Sequence, residues 1–184
     1  MSIPTAPIAR PVERVSPAEQ TAAVIRAATP QDIPRLLELF GELADYEQLR
    51  SELHATEEQL LDALFGEHPA AEALIAQHDS ESVGYALYFP TFSSFLASRG
   101  VWLEDLFVLP SHRGAGVGRA LLSAVAARVH ERGDGRLEWC ALGWNELALG
   151  FYRSIGARTM DAWITHRLDG QALARLAVES THHS

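Results

Sequence analysis

Residues 101–122 read VWLEDLFVLPSHRGAGVGRALL, and the architecture of the whole chain turns on them. The first part, Val101 to Leu109, is a nearly unbroken apolar run, interrupted by one acidic pair, Glu104 and Asp105, and stopped by Pro110. Such a run bounded by proline reads as a buried central strand. The last part opens a helix whose apolar positions, Val117, Leu121, Leu122, Val125 and Val129, recur at helical spacing. Between the two lies a turn with Gly114, Gly116 and Gly118, flanked by Arg113 and Arg119. A strand, a glycine turn and a helix N-terminus make an anion site, because the turn's N–H groups point outward and the helix dipole adds partial positive charge.

Glycines alone could equally serve a tight turn or close helix packing. Two rival phosphate loops fit poorly. The dinucleotide fingerprint needs a third glycine three residues after the second, where Arg119 stands, and the nucleoside-triphosphate loop needs Gly-Lys-Ser/Thr, whereas all 15 basic side chains here are arginine.

Beyond this stretch, the 184 residues suit one domain with a full core, and 47% hydrophobic with 21% charged residues is ordinary for a globular chain. No apolar run approaches the ~18 residues that span a bilayer, and the proline-rich start lacks the apolar region of a secretory signal. One cysteine, Cys140, excludes an intrachain disulfide and suits a reducing compartment, so a cytoplasmic address is expected. A net charge of −9 argues against nucleic acid as a partner. Twelve of the 24 acidic residues fall between Glu38 and Glu81, with Arg50 the single basic residue among them. This block reads as a solvated helical face or as a field that attracts a cationic substrate. His68, His112 and His130 lack metal-ligand spacing, and no metal is expected.

Residues 1–21 read as a tail, residues 22–178 as a single domain and residues 179–184 as a second tail. In chain order the domain is expected to open with a strand over Ala22–Ala28. A helix follows from Thr29-Pro30-Gln31-Asp32 to about Tyr46, and another from the Thr56–Gln59 capping box to Gly66 as C′ residue. Strands are expected over Ala71–Gln77 and Val83–Phe89, joined by a hairpin at His78–Ser82, with a loop over 90–100. After the central strand and its helix to about Arg132 come a strand from Arg136 to Cys140 or Ala141 and a helix over Leu147–Ile155 closed by Gly156. A last strand is expected over Asp161–Leu168 and a helix over Gly170–Val178. Strands and helices in this order give an α/β class with an α+β mixed sheet, a central sheet flanked by helices.

Arg-Gly-Ala-Gly-Val-Gly after a strand resembles the acetyl-CoA signature of the GNAT superfamily of N-acetyltransferases. Further segments resemble its diamine and thialysine acetyltransferase branch: Leu-Ala-Asp-Tyr-Glu at 43–47, Gly-Glu-His-Pro at 66–69, Trp-Leu-Glu-Asp-Leu-Phe-Val at 102–108, Trp-Asn-Glu at 144–146 and Phe-Tyr at 151–152. The resemblance implies the GNAT acyl-CoA N-acyltransferase fold and direct acetyl transfer from acetyl-CoA to a primary amine in a ternary complex. It implies that Leu106, Phe107 and Val108 pair with the pantetheine arm through their backbone. Arg113, Gly114, Ala115, Gly116, Val117, Gly118 and Arg119 would hold the pyrophosphate, and Asn145 and Ala148 the CoA chain. Tyr152 would protonate the departing thiolate as it contacts the cofactor, and Glu104 would act toward the amine, through water. Tyr46, Glu47, Asp105, Glu138, Trp139 and Cys140 would line the substrate site. A homodimer is also implied. Where polyamine enzymes of the branch carry an acid and a tryptophan, this chain has Ser94 and Leu96, so a shorter diamine or a lysine-like amino acid is an equal candidate.

The chemistry agrees. An alkylammonium with a pKa near 10 leaves about one molecule in a thousand as free amine at pH 7. A placed carboxylate both binds the cation and helps remove its proton, typically a 10²–10⁴-fold gain. A carboxylate inside an apolar strand is costly to bury unpaired, so Glu104 has either a catalytic or a structural reason to be there. Alternation sends Glu104 and Asp105 to opposite faces unless a bulge intervenes; Glu104 is then the catalytic candidate and Asp105 a local support or subunit contact. Tyr152 could instead be a buried tyrosine with a structural bond, and Cys140 reads most simply as a small buried residue. Two further functions fit the sequence: acetylation of protein amines and non-catalytic acyl-CoA binding.

Overall fold

A computed structural model describes residues 22–179. The chain divides into two compact units, one ending at Cys140 and one beginning at Ala141.

The first unit is built on a five-stranded sheet. Its strands are β1 (Val24–Ala27), β2 (Glu72–His78), β3 (Glu81–Ser93), β4 (Ser98–Val108) and β5 (Leu137–Glu138), in that order across the sheet. The first four are antiparallel neighbours, and β5 runs parallel to β4. The mixed sheet expected from the sequence is therefore present. Helices α1 (Ile33–Tyr46) and α2 (Glu57–Phe65) cover one face; α3 (Val117–Glu131) packs on β4, β3 and β2 through Val117, Leu121, Leu122, Val125 and Val129. On the α1 face, Ile33, Leu36 and Leu39 meet Leu60 and Leu64 of α2 and Ala73, Ile75, Tyr85 and Phe107 of the sheet. Each fully buried leucine there is worth roughly 1.5–3 kcal/mol.

The start of α1 is fixed by chemistry legible in the sequence. Thr29, before a 3-10 turn at Pro30–Asp32, gives its backbone N–H and its hydroxyl to Asp32 Oδ2, both at 2.8 Å. At α2 the capping box forms as expected: Thr56 Oγ1 accepts from Gln59 N at 3.3 Å and Gln59 Oε1 accepts from Thr56 N at 3.0 Å. Gly66 caps α2 differently from the expected left-handed residue. Its φ is −67°, and glycine is needed because a Cβ would collide with Asp62.

The β2–β3 hairpin is tighter than expected, with Asp79 and Ser80 at φ 46° and 69° between the paired His78 and Glu81. Positive φ at both central residues matches the right-handed strand twist. The loop expected over 90–100 is instead a continuation of β3 and β4, paired out to Ser93 and Ser98. Pro90 is tolerated because β2 stops pairing at Tyr88, so beyond it one side of β3 is an edge that requires no N–H.

One irregularity in β4 sets the direction of its two acids. Leu87 pairs with Asp105 and Tyr88 with Leu103, so Glu104 is an extra residue, a β-bulge. The bulge resets the alternation. Leu103 falls on the face of Tyr88, whereas Asp105 and Phe107 fall on the face of Tyr85, toward α1.

The second unit holds α4 (Glu146–Ser154) and α5 (Gly170–Glu179). Gly156 follows α4 at φ +83°, as expected of a closing glycine. The strand expected over Asp161–Leu168 does not form: the segment has no regular structure, and Trp163 is 74% exposed. Its apolar pattern needs a neighbouring strand, and among the described residues none pairs with it. The tails expected over 1–21 and 179–184 lie outside the described residues, except Glu179, which ends α5.

Candidate active site

The glycine turn sits where the sequence placed it, after a short 3-10 turn at Pro110–His112 and before α3. Gly114 and Gly116 have φ of 80° and 84°, which other residues adopt only with strain. A Cβ at either would meet no atom of the described residues within 4 Å, and Gly114, Ala115 and Gly116 are all exposed. Gly116 is the N-cap of the 15-residue α3 and has no side chain with which to cap it. The turn therefore offers backbone N–H groups and the positive end of a helix dipole outward, a geometry that accepts an anion. Val117 is buried, a Cβ at Gly118 would lie 3.8 Å from Val108, and Arg119 is exposed.

Beside the turn, β4 has a free edge. Its pairing with β5 covers Val101 and Trp102, so among the described residues no strand pairs with Leu103–Val108 on that side. Leu106, Phe107 and Val108 lie along this edge.

Arg113 does not extend toward the turn's open side. Its Nε donates to the Val108 carbonyl at 2.9 Å, and its guanidinium lies 4.5 Å over the Tyr46 ring and 5.6 Å from that of Phe107. The side chain thus ties the turn to the end of α1 through a cation–π contact.

That corner gathers carboxylates from elements far apart in sequence. Glu47 follows α1 directly, Glu104 sits on the bulge and Asp105 comes next. Glu104 is exposed and accepts a bond from Trp102 Nε1 at 2.9 Å. Asp105 is half-buried, and its Oδ2 accepts the Tyr85 hydroxyl at 3.2 Å. Burial, and then repulsion from Glu104 and Glu47, outweigh the Tyr85 bond and push the Asp105 carboxyl up to about 6. Burial also raises Glu47. Burial and the Asp105 charge hold the Tyr85 phenol well above its ordinary value, so it stays a donor at any working pH.

The sequence pattern of the Acetyltransferase (GNAT) family matches residues 34–157. The chain belongs to the GNAT acetyltransferase family. This GNAT chain is 32% identical over 167 residues to thialysine N-epsilon-acetyltransferase of Sus scrofa, covering 85% of the chain and 98% of that protein. It is 30% identical to L-ornithine N5-acetyltransferase NATA1 of Arabidopsis thaliana, covering 81% of the chain and 85% of that protein. Among solved structures, integron cassette protein VCH_CASS6 of the V. cholerae mobile metagenome superposes with a TM-score of 0.72 at 29% identity, over 85% of this chain and 98% of that one. The protein is an acetyltransferase of the diamine and thialysine branch.

The other expected site residues of this acetyltransferase are spread over β5 and the second unit. Glu138 ends β5 and faces Arg136 Nε at 2.7 Å; Trp139, next to it, is half-buried. Cys140 is exposed rather than buried, because β5 stops at Glu138 before reaching it. In the second unit, Asn145 caps α4, its Oδ1 accepting from Ala148 N at 3.2 Å. Tyr152, half-buried on α4, has its ring centroid 5.4 Å from that of Phe151. No helix among the described residues is long and apolar enough to cross a membrane. Tyr85 went unrecognised in the sequence, where it reads as one more apolar strand residue; its position two places before Leu87, the partner of Asp105, becomes meaningful only through the pairing of β3 with β4.

Proposed function

We propose that this enzyme moves the acetyl group of acetyl-CoA to the primary amine of a small cationic substrate, a diamine or a lysine-like amino acid, by direct attack in a ternary complex. The observation that carries this reading is the carboxylate corner of Glu47, Glu104 and Asp105, joined through Arg113 to an open glycine turn. The turn fits a pyrophosphate: Gly114 and Gly116 adopt positive φ at an exposed helix start, and no described residue fills the space where their side chains would be. Acetyl-CoA would supply an activated acyl thioester. Gly114 to Arg119 hold its diphosphate, the free β4 edge at Leu106–Val108 offers backbone groups to its pantetheine arm, and Asn145 and Ala148 meet the CoA chain. Arg113 acts through its tie to Tyr46 and Val108. Glu104 faces the amine through water, Tyr152 protonates the departing thiolate, and Tyr46, Glu47, Asp105, Glu138, Trp139 and Cys140 line the amine's pocket.

The relatives favour an amino-acid amine over a long polyamine, since two of them are named for thialysine and for the N5 nitrogen of ornithine. Ser94 and Leu96, where a polyamine enzyme carries an acid and a tryptophan, agree: they lie at an exposed hairpin tip beside Phe95. Residues 22–178 act as one catalytic domain, which agrees with a family match spanning both units. The enzyme works in the cytoplasm as a homodimer, and a light-scattering mass of one chain at micromolar concentration overturns the dimer. The reaction is tested by CoA release against thialysine, ornithine, lysine, diaminopropane, putrescine and spermidine. Turnover is expected with at least one short substrate, and silence across the panel removes the reading.

A further inference from the structure

We propose that Asp105 accepts the proton of the substrate ammonium, and that Tyr85, buried beneath it, is the positioning residue that keeps its carboxylate aimed and ionised. This rests on the acetyl-transfer reading above and divides labour among the acids of the same corner.

The geometry begins with the bulge. Were β4 to alternate regularly through Glu104, Asp105 would share the face of Leu103; with Glu104 bulged out of the pairing, Asp105 lies on the α1 face beside Phe107 and Tyr85. Tyr85 is fully buried, its ring 4.9 Å from Phe40 and 6.2 Å from Phe107, so its hydroxyl has little freedom, and its bond goes to Asp105 Oδ2. Among the described residues no donor is bonded to Oδ1, which is left for a substrate N–H. The titratable groups that act on Asp105 are Glu47, just past the end of α1, Tyr85 from β3 and Glu104 from β4; Arg113 is engaged instead with the rings of Tyr46 and Phe107. Glu104 is exposed and held by Trp102, which suits attraction of the cation rather than deprotonation.

A base must remain ionised at the working pH and yet be as basic as possible. With a carboxyl at about 6, proton transfer from an ammonium is about two units, or roughly a hundredfold, less uphill than to an ordinary aspartate. In the step, the ammonium N–H bond breaks and its proton goes to Asp105. The freed nitrogen lone pair forms the C–N bond at the thioester carbonyl, the C–S bond breaks with its electron pair on sulfur, Tyr152 gives its hydroxyl proton to that thiolate, and the second nitrogen proton restores the Tyr152 hydroxyl. Asp105 then returns its proton to solvent, leaving an amide, a thiol and one proton.

The test is Tyr85→Phe, which keeps the ring and removes the hydroxyl, read by carboxyl-¹³C NMR of aspartate-labelled protein and by the pH profile of kcat/KM. Losing a bond that favours the ionised form raises the Asp105 midpoint and the acid limb together, by about half to one pH unit. The variant should therefore be about 1.5- to 3-fold slower at pH 6.5 and recover at pH 8.5. Asp105→Asn should lose about 10²-fold or more at every pH, and Asp105→Glu should restore part of it. An unmoved midpoint in Tyr85→Phe, or an even loss across pH, overturns the role of Tyr85. A wild-type rate in Asp105→Asn, with the parent enzyme active, overturns the assignment of Asp105 alone. A parent enzyme that acetylates no amine overturns the acetyl-transfer reading itself, while the NMR midpoints still decide whether Tyr85 holds Asp105. If Tyr85→Phe does not fold, the two Asp105 variants decide the assignment.

Discussion

Asp32 and Asp105 lie near opposite ends of α1, both largely withdrawn from water, and their surroundings treat the same functional group in opposite ways. Asp32 is met by the Arg26 guanidinium in a two-pronged ion pair, 2.7 Å to each oxygen, and by the N–H and hydroxyl of Thr29. The Arg26 hydrogen bond, with help from Thr29, holds its carboxyl down at about 2. Asp105 has one neutral donor, Tyr85, and two carboxylates for neighbours, and sits at about 6. The first arrangement uses its hydrogen bonds to anchor a helix. The second leaves a charge under-compensated, as a protein does where that charge is meant for a ligand. Burial alone therefore does not say what a carboxylate does; the sign of its partners does.

Disrupting the matched site has the largest expected effect on stability. Asp32→Ala should cost about 3 kcal/mol in urea unfolding at pH 7, because it strands the half-buried Arg26 and removes the acceptor of Thr29. The folded carboxyl lies below its unfolded value, so this stabilisation is complete above about pH 4 and fades as pH falls from there through about 2. A variant no less stable than the parent at pH 7 would falsify the anchoring role.

The mismatched site should respond with the opposite sign. Asp105→Asn keeps an acceptor for Tyr85 and removes the unfavourable charge, so it should stabilise the fold by about 2 kcal/mol at pH 8 while abolishing turnover. Because the folded carboxyl lies above its unfolded value, the penalty is present above about pH 6 and is relieved as pH falls from 6 to 4. The gain should shrink over that window, and a gain that is flat with pH counts against the electrostatic cause.

The smallest effect separates the two neighbours of Asp105. Glu47→Gln removes one of the repelling acids, so the Asp105 midpoint should fall by a fraction of a unit, with the acid limb of kcat/KM moving down alongside it. A midpoint that rises would mean that Glu47 shares a proton with Asp105 instead of repelling it.

Legibility tracked the range of each interaction. The capping box at Thr56, the start of α1 at Thr29-Pro30 and the strand–turn–helix around Gly114 and Gly116 all depend on residues within a few positions of one another. The segment expected as a loop at 90–100 is paired strand because Pro90 stands where β2 has already ended, a fact of sheet topology. The expected strand at 161–168 is absent for the same kind of reason: alternation of side chains calls for a neighbour that the local sequence does not contain.

Composition, periodicity and local hydrogen bonding suffice for the mixed sheet with its flanking helices, for the glycine turn between strand and helix and for the presence of acids near an apolar strand, so the order of residues alone settled these. Which acid faces which way was left to the packing of the folded chain. The bulge at Glu104, the reach of Tyr85 to Asp105 and the inward path of Arg113 to Tyr46 each join residues that are strangers in sequence. Their meeting is set by how strands register and how helices pack, and the pKa of a carboxylate is set by whom it meets.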